Sequence, residues 1–230
     1  MPTSSDSAEL TLRRQIIATC RELERRGLNQ GTSGNVSARI SADPADGFLL
    51  TPTALPYDVM QPEDIVHMGP DGSHTGPRPP SSEWRFHLDI MRARPDAGAI
   101  VHTHSAYATT LACLRRDITA FHYLIALFGG NSIRCSDYAT YGTQELSNHV
   151  LSALTDRTAA LMGNHGLIVL GPDLGRALAM TAEAETLALM YWRTIQVGEP
   201  VILPDDEIAR VRAKIATYGS YGADKEPPRG

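Results

Sequence analysis

The chain has 230 residues, of which 42% are hydrophobic and 20% charged, and its formal net charge is −5. These values are typical of a globular protein with a core, and the negative charge argues against a broad surface for nucleic acid or an anionic membrane. No apolar run approaches the roughly 20 residues that cross a bilayer, and no secretory signal is recognisable. Three cysteines without a Cys-x-x-Cys pair favour a reducing, cytoplasmic environment.

Helices and short strands alternate along the chain. Apolar residues at helical spacing predict a helix over 8–26, and alternation of apolar residues predicts a hairpin of strands at 35–40 and 48–50. The remaining predicted elements are a strand at 65–68, a loop at 69–80, a helix from Ser81 or Ser82 to Arg94, a strand from 97 to 101, a helix at 105–114, an apolar segment of ambiguous type at 118–128, a helix capped by Thr143, strands at 159–162 and 167–170, and helices at 174–197 and 205–218.

This order of elements predicts one α/β domain over residues 1–230, without an internal repeat or a linker. Helices are expected on both sides of the sheet, and the hairpins make the sheet mixed or antiparallel. The fold class is therefore a three-layer α/β/α sandwich with a mixed, largely antiparallel central sheet. The tail at about 222–230 is expected to be disordered.

His102 and His104 follow a buried apolar run, and residues two apart on a strand point to the same side. Both imidazoles can therefore reach one metal ion, although a histidine pair of this kind is as often a solvent-facing or core feature. His165 lies in a glycine-containing break between two apolar runs, where a hydrogen-bonded turn residue is the alternative. Glu83 is expected in the first turn of the helix that begins at Ser81 or Ser82. The helix dipole stabilises a carboxylate at that place, so a purely structural role is the alternative for Glu83.

Three loops combine small or hydroxyl residues with free backbone N–H groups, which is what a phosphate monoester requires. They are 31–35 (GTSGN), 51–54 (TPTA) and 81–82 (SS). Each alone is more often a plain turn or cap, and none matches a P-loop or dinucleotide fingerprint.

Through these residues the chain resembles the class II aldolase/adducin family, most of all its bacterial L-fuculose-1-phosphate aldolases. The matching stretches are spread in order over most of the chain, which makes the set far more specific than any one of them. They are 28–37 (LNQGTSGNVS), 50–57 (LTPTALPY), 80–87 (PSSEWRFH), 100–104 (IVHTH), 122–150 (HYLIALFGGNSIRCSDYATYGTQELSNHV) and 164–168 (NHGLI).

The resemblance implies cleavage of a ketose 1-phosphate, such as L-fuculose 1-phosphate or a related 5-deoxyketose 1-phosphate, to dihydroxyacetone phosphate and an aldehyde through a zinc-bound enediolate. By position, His102, His104 and His165 correspond to ligands of one zinc ion per subunit. Glu83 corresponds to a further ligand that becomes the base when substrate binds. The residues that correspond to the phosphate site are Gly34, Asn35, Thr53, Ala54, Ser81 and Ser82.

The same resemblance implies a homotetramer with active sites between subunits. Tyr123 corresponds to the tyrosine that donates a proton to the aldehyde oxygen, and Tyr218 to a residue at the aldehyde end of the substrate.

The chain departs from the family pattern in two places. Ala54 replaces the usual glycine, which costs about 1 kcal/mol if the loop requires a positive φ. The tail after Tyr218 also differs, and this affects aldehyde specificity.

Three other functions within reach of the family remain open. A sugar-phosphate 4-epimerase would use the same metal but would usually carry a lysine in the Thr-Pro-Thr loop. A 3-oxo-tetronate 4-phosphate decarboxylase would release CO₂. An adducin-like interaction module would keep the fold without a metal, which the filled set of metal positions argues against.

Overall fold

The computed structural model describes residues 4–217, which form six α-helices and nine strands. The helices are α1 (Ser4–Arg25), α2 (Trp84–Ala93), α3 (Ala106–Cys113), α4 (Gln144–Ala153), α5 (Leu174–Val197) and α6 (Asp205–Thr217). The strands are β1 (Asn35–Arg39), β2 (Phe48–Leu50), β3 (Val66–Met68), β4 (His74–Thr75), β5 (Ala99–Thr103), β6 (Ile118–Thr119), β7 (Ser132–Cys135), β8 (Ala159–Met162) and β9 (Gly166–Gly171).

All nine strands belong to one sheet, in the order β4-β3-β2-β1-β5-β9-β8-β7-β6. Every neighbouring pair is antiparallel except β7 and β8, which are parallel. The hairpin between β1 and β2 is the one that the sequence predicted, and β8 and β9 are the strands predicted at 159–162 and 167–170. The mixed, largely antiparallel sheet is therefore confirmed.

Helices cover both faces of the sheet, because alternate residues along each strand bury apolar side chains on opposite sides. On one face α2 and α4 pack over a core that includes Phe86, Ile100 and Val150. On the other face α1, α3 and α5 pack over cores that include Ile16 and Leu187. This arrangement confirms the three-layer α/β/α fold. None of the helices between residues 4 and 217 combines the length and apolar character that a bilayer-spanning helix requires.

Two side-chain caps define helix starts that the sequence indicated. The Thr143 hydroxyl accepts a hydrogen bond from the Leu146 N–H at 3.2 Å, and the Asp173 carboxylate accepts one from the Arg176 N–H at 2.7 Å. Such bonds satisfy backbone donors that have no partner inside the helix. As a result α5 spans the predicted residues.

The structure corrects the prediction for the start of α2. The helix begins at Trp84, so that Glu83 occupies the N-cap position rather than the first turn. The reason is a tight turn ahead of it, in which the Ser81 carbonyl accepts from the Trp84 N–H at 3.0 Å and the Ser81 hydroxyl accepts from the Glu83 N–H at 3.3 Å. Glu83 makes no side-chain cap, and its carboxylate is left to other partners.

Two strands were missed by the sequence analysis. The predicted loop at 69–80 contains β4, which pairs with β3, and the stretch 122–150 contains β7, which pairs with β6 and β8. The ambiguous segment 118–128 divides into β6 and a 3₁₀ helix over Tyr123–Phe128. Tyr218 and the tail at 222–230 lie outside the described residues.

Candidate active site

Three histidines lie together at one end of the two central strands. His102 is near the end of β5, His104 follows that strand, and His165 lies in the turn that joins β8 to β9. Since Thr103 of β5 lies opposite Leu167 of β9 in an antiparallel pair, the turn is held beside the end of β5. The Nε2 atoms of His102 and His104 are 3.2 Å apart, and one ring nitrogen from each histidine lies within 4.8 Å of the others.

Hydrogen bonding fixes which nitrogen His102 presents to this cluster. Its Nδ1 lies 2.9 Å from the Leu167 carbonyl oxygen. Because a carbonyl only accepts, Nδ1 carries the hydrogen and the Nε2 lone pair faces the cluster. The three rings stand steeply inclined to one another, with centroids 4.8 to 5.0 Å apart. A backbone carbonyl that holds the second ring nitrogen is the usual support of a metal-binding histidine.

Two glycines make room for this arrangement. A Cβ at Gly166 would lie 2.5 Å from the Thr103 carbonyl oxygen and 3.0 Å from the His104 ring. A Cβ at Gly34 would lie 2.6 Å from the His102 carbonyl oxygen. In both places the obstacle includes backbone, which cannot move aside without distorting the end of β5.

Glu83 lies against the cluster from the start of α2. Its Oε2 is 3.3 Å from His102 Nε2, and its Oε1 is 3.2 Å from His165 Nε2. The Asn35 side-chain amide donates to Oε2 at 2.9 Å, whereas Oε1 is buried and has no hydrogen-bond partner among the described residues. Since a buried carboxylate oxygen normally has a donor or a cation beside it, the unsatisfied Oε1 fits a site that binds a cation.

Burial and mutual contact set the protonation of the cluster. Burial alone would raise the pKa of the Glu83 carboxyl, but the adjacent His102 and His165 imidazoles and the Asn35 amide lower that pKa to about 2. Burial, and then the neighbouring His102, lower the pKa of His104 to about 4 and that of His165 to about 3. At neutral pH the carboxylate is therefore ionised, and these two imidazoles keep the lone pairs that metal binding requires.

The three histidines could hold a metal ion, and the residues present fit one well. One ring nitrogen from each of the three histidines lies within 4.8 Å of the others, and a carboxylate with an unsatisfied oxygen lies beside them. Neutral imidazoles with one carboxylate are donors typical of divalent transition metals, whereas calcium and magnesium prefer sites built from oxygen.

A cavity of about 400 Å³ opens onto this cluster. Its inner wall is formed by Glu83, His104 and His165, and its rim by residues of the three predicted anion-binding loops and of two further segments. The rim residues are Thr32, Ser33, Thr53, Ala54, Ser82, Tyr138, Tyr141 and Asn164, and the buried Ala139 completes the lining. A larger groove of about 900 Å³, between α1 and the start of α5, contains none of the cluster residues.

The residues predicted to bind phosphate lie at the cavity in two groups, one exposed and one buried. Thr53, Ala54 and Ser82 line the cavity and are exposed, which leaves them free to meet a ligand. Gly34, Asn35 and Ser81 are buried next to it, and the Asn35 amide already bonds Glu83. Ala54 has a φ of +53°, so that the condition attached to this departure from the family pattern is met.

Tyr123 lies apart from the other predicted residues. It is the first residue of the 3₁₀ helix, its side chain is half exposed, and it is not among the residues that line the cavity of this single chain. Tyr218 lies outside the described residues. The described part of the chain therefore has neither of the two predicted tyrosines at the cavity.

Sequence analysis missed two tyrosines at the mouth of the cavity, Tyr138 and Tyr141, which are 48% and 66% exposed. They lie in the loop before α4, which Arg85 holds in place by donating to the Gly142 carbonyl oxygen at 2.7 Å. Exposed aromatic residues in a loop show no periodicity, and only their exposure in the folded chain draws attention to them.

Comparison with known proteins agrees with this geometry. The family described as Class II Aldolase and Adducin N-terminal domain matches residues 14–192. The chain is 48% identical to the 5-methylthioribulose-1-phosphate/5-deoxyribulose-1-phosphate aldolase of Rhodospirillum rubrum, over 96% of this chain and 98% of that protein. It is 49% identical to the L-fuculose phosphate aldolase of Escherichia coli K12, over 90% of this chain and 95% of that protein.

A solved structure of an L-fuculose 1-phosphate aldolase superposes with a TM-score of 0.86 at 36% identity, over 94% of this chain and 98% of that one. Fold, sequence and the histidine cluster thus agree on one family. The chain belongs to the class II aldolase and adducin family, and within it the protein is an aldehyde-lyase of the class II aldolase type.

Proposed function

We propose that the protein is a zinc-dependent aldolase that cleaves a ketose 1-phosphate into dihydroxyacetone phosphate and an aldehyde. The observation that carries this proposal is the unsatisfied Glu83 carboxylate beside three converging imidazoles, at the floor of a cavity with small and hydroxyl residues at its rim. Three histidines with one carboxylate suit zinc, and the carboxylate can be exchanged for substrate.

Two kinds of relative support the substrate class. The names of the relatives include L-fuculose phosphate aldolase and 5-methylthioribulose-1-phosphate/5-deoxyribulose-1-phosphate aldolase. Both kinds of substrate are ketose 1-phosphates without a terminal hydroxyl, and they differ at the end that leaves as the aldehyde. We infer a 6-deoxyhexulose or 5-deoxypentulose 1-phosphate as substrate, with L-lactaldehyde as the expected product from L-fuculose 1-phosphate.

In this mechanism Thr53, Ala54 and Ser82 hold the phosphate through backbone N–H and hydroxyl groups, with Gly34, Asn35 and Ser81 shaping the loops behind them. Zinc held by the three histidines would supply Lewis-acid charge that polarises the substrate carbonyl and stabilises the anion formed in cleavage. In cleavage, once a proton equivalent to the one lost from the substrate hydroxyl has reached the displaced Glu83 carboxylate, Glu83 gives it to the carbon that becomes the hydroxymethyl group of dihydroxyacetone phosphate. In condensation Glu83 removes that same proton.

Tyr123 handles the proton on the aldehyde oxygen, and Tyr218 contacts the aldehyde end of the substrate. Because Tyr123 does not line the cavity of its own chain, the proposal includes a homotetramer in which Tyr123 reaches the site of a neighbouring subunit. A mixture of Tyr123→Phe and Glu83→Gln subunits tests this directly. Activity regained on mixing supports shared sites, whereas two inactive proteins that stay inactive in verified mixed oligomers contradict them.

The function itself is tested by metal removal and a panel of substrates. Chelation should abolish cleavage, and zinc should restore it. Release of dihydroxyacetone phosphate is then measured from L-fuculose 1-phosphate, 5-deoxyribulose 1-phosphate and 5-methylthioribulose 1-phosphate, and kcat/KM ranks them. Full activity in metal-free protein, or release from none of the three, would contradict the proposal.

A further inference from the structure

A line of buried side chains runs from Glu83 into the core between α2 and β1. Asn35 Nδ2 is 2.9 Å from Glu83 Oε2, His87 Nε2 is 2.5 Å from Asn35 Oδ1, and Ser37 Oγ is 2.7 Å from His87 Nδ1. Ser37 and His87 are fully buried, and Asn35 is 4% exposed. These side chains are therefore shielded from bulk water, and each polar group needs its neighbour in the line as a hydrogen-bond partner.

Only one set of donors and acceptors satisfies every link. The Glu83 carboxylate accepts, so Asn35 presents its NH₂ group to it and turns its carbonyl oxygen toward His87. His87 must then donate from Nε2, which leaves Nδ1 as an acceptor for the Ser37 hydroxyl. This is the opposite tautomer from that of His102, in which Nδ1 carries the hydrogen.

The consequence for Glu83 follows from the shape of an amide. An asparagine can rotate by half a turn and exchange its oxygen and nitrogen at small steric cost. Such a rotation would place the Asn35 oxygen against Glu83 Oε2, and two acceptors would face each other in a buried site. The His87 N–H opposes the rotation, because among the described residues its one acceptor is the Asn35 oxygen. Burial also lowers the pKa of His87 to about 3, which keeps the ring neutral.

We propose that His87 is a positioning residue, which locks the Asn35 amide so that its N–H holds the Glu83 carboxylate in the direction of proton transfer. The inference rests on the proposed function in one respect, namely that Glu83 is the base. His87 itself neither lines the cavity nor belongs to the histidine cluster. Its effect should therefore be on the rate of proton transfer rather than on the binding of dihydroxyacetone phosphate.

The first test uses two substitutions at His87 on zinc-loaded protein. In His87→Gln the side-chain amide can place an N–H where Nε2 was, whereas His87→Phe keeps a ring and removes the donor. We expect His87→Phe to slow deuterium exchange at the hydroxymethyl carbon of dihydroxyacetone phosphate by about 10–100-fold in kcat, with KM changed less than about threefold, and His87→Gln to restore most of the loss.

His149→Phe is the matched control, since His149 lies on α4 over the same sheet face and its Nδ1 has no hydrogen-bond partner among the described residues. We expect no change in exchange for this variant. Equal losses in His87→Phe and His87→Gln, a rise in KM without a fall in kcat, or no effect of His87→Phe would each overturn the positioning role.

A second readout does not depend on activity. Long-range nitrogen–hydrogen correlation spectra of the histidine-labelled, zinc-loaded protein report the tautomer of each ring, and the His87→Gln spectrum assigns the His87 signal. The expected result is a hydrogen on Nε2 of His87, and a hydrogen on Nδ1 would overturn the inference. If wild type exchanges no deuterium at all, the proposed function fails, and the tautomer still decides the hydrogen-bond line.

Discussion

The two ends of the cavity are built in opposite ways. At the inner end Glu83 and His102 are buried, each is hydrogen-bonded to a neighbour, and strands β1, β5 and β9 hold them. At the outer end Tyr138 and Tyr141 are exposed on a loop, and Tyr123 lies outside the cavity of its own chain. A rigid inner end suits chemistry that is common to all substrates of the family, whereas an open outer end suits the choice of aldehyde.

The comparison predicts that damage at the outer end separates two activities. Tyr123→Phe should reduce cleavage of the ketose phosphate by roughly 10²–10⁴-fold, because the aldehyde oxygen loses its proton donor. Deuterium exchange on dihydroxyacetone phosphate should change little, since it requires the inner end alone. Both rates are measured on one preparation, with Tyr107→Phe, whose ring packs on Trp192, as the control. Equal loss of both activities would indicate damage to the oligomer. Loss of neither activity would indicate that Tyr123 has only a packing role.

At the inner end, Glu83→Gln should lower deuterium exchange by about 10²-fold or more, because the amide keeps the shape but removes the base. Glu185→Gln serves as the control, since Glu185 is a carboxylate outside the cluster that accepts from the Tyr107 and Ala108 N–H groups at the start of α3. Exchange at the wild-type rate in Glu83→Gln would require a different base.

Gly166→Ala tests whether the inner end depends on close backbone approach. The added Cβ meets the Thr103 carbonyl oxygen at 2.5 Å, so the turn that carries His165 must shift away from β5. We expect zinc affinity to fall by about 10–100-fold, as it does when support of a ligand is lost. Gly198→Ala adds a Cβ with no atom within 4 Å and should leave affinity unchanged. Competition with a chromophoric chelator measures both, and equal affinities would contradict the packing argument.

The buried His87 predicts a pH dependence of stability. Its pKa is about 3 in the folded chain and 6.5 ordinarily, so over that interval the unfolded chain binds a proton that the folded chain does not. The stability that neutral His87 contributes is present above pH 6.5 and is lost as the pH falls toward 3. In chelator, the free energy of unfolding of wild type should decline faster than that of His87→Gln, by up to about 1.4 kcal/mol per pH unit. Parallel curves from urea titrations would show that burial does not hold the ring neutral.

The smallest expected effect is at the rim. Ala54 has a φ of +53°, where a Cβ costs roughly 1–2 kcal/mol, while glycine loses about 0.5–1 kcal/mol through the unfolded chain. Ala54→Gly should therefore raise the free energy of unfolding by about 0.5–1 kcal/mol and leave phosphate affinity unchanged or improved. Ala213→Gly, on exposed helix α6, should instead lower stability by about 1 kcal/mol. A large loss of phosphate affinity in Ala54→Gly would mean that the alanine methyl makes a useful contact.

What the sequence could predict follows the same division. The layered fold, the caps at Thr143 and the bounds of α5 come from local patterns, and the structure confirms them. The histidine cluster combines His102 and His104, whose spacing is local, with His165, which only the pairing of β5 with β9 brings near. Resemblance to the family supplied that last step, because spacing along the chain carries no distance between separate strands.

The rest depended on tertiary contacts. Strand β7 is short and carries an arginine, and pairing with β6 and β8 rather than its own composition makes it a strand. The start of α2 was misplaced because Ser81 and Ser82 are both typical capping residues, whereas the turn at Ser81 makes the helix begin at Trp84 with Glu83 as its N-cap. His87 could be predicted only as a core or surface histidine, since its partners Asn35 and Ser37 lie on a strand some fifty residues away.

Deuterium exchange on dihydroxyacetone phosphate, with no aldehyde present, tests the proposed chemistry of zinc and Glu83 by itself. It isolates the inner end of the cavity, where zinc and Glu83 are proposed to act without the tyrosines. We expect exchange at the hydroxymethyl carbon in zinc-loaded protein, none after chelation, and recovery when zinc is restored. Exchange that continues at the zinc-loaded rate in metal-free protein would contradict it.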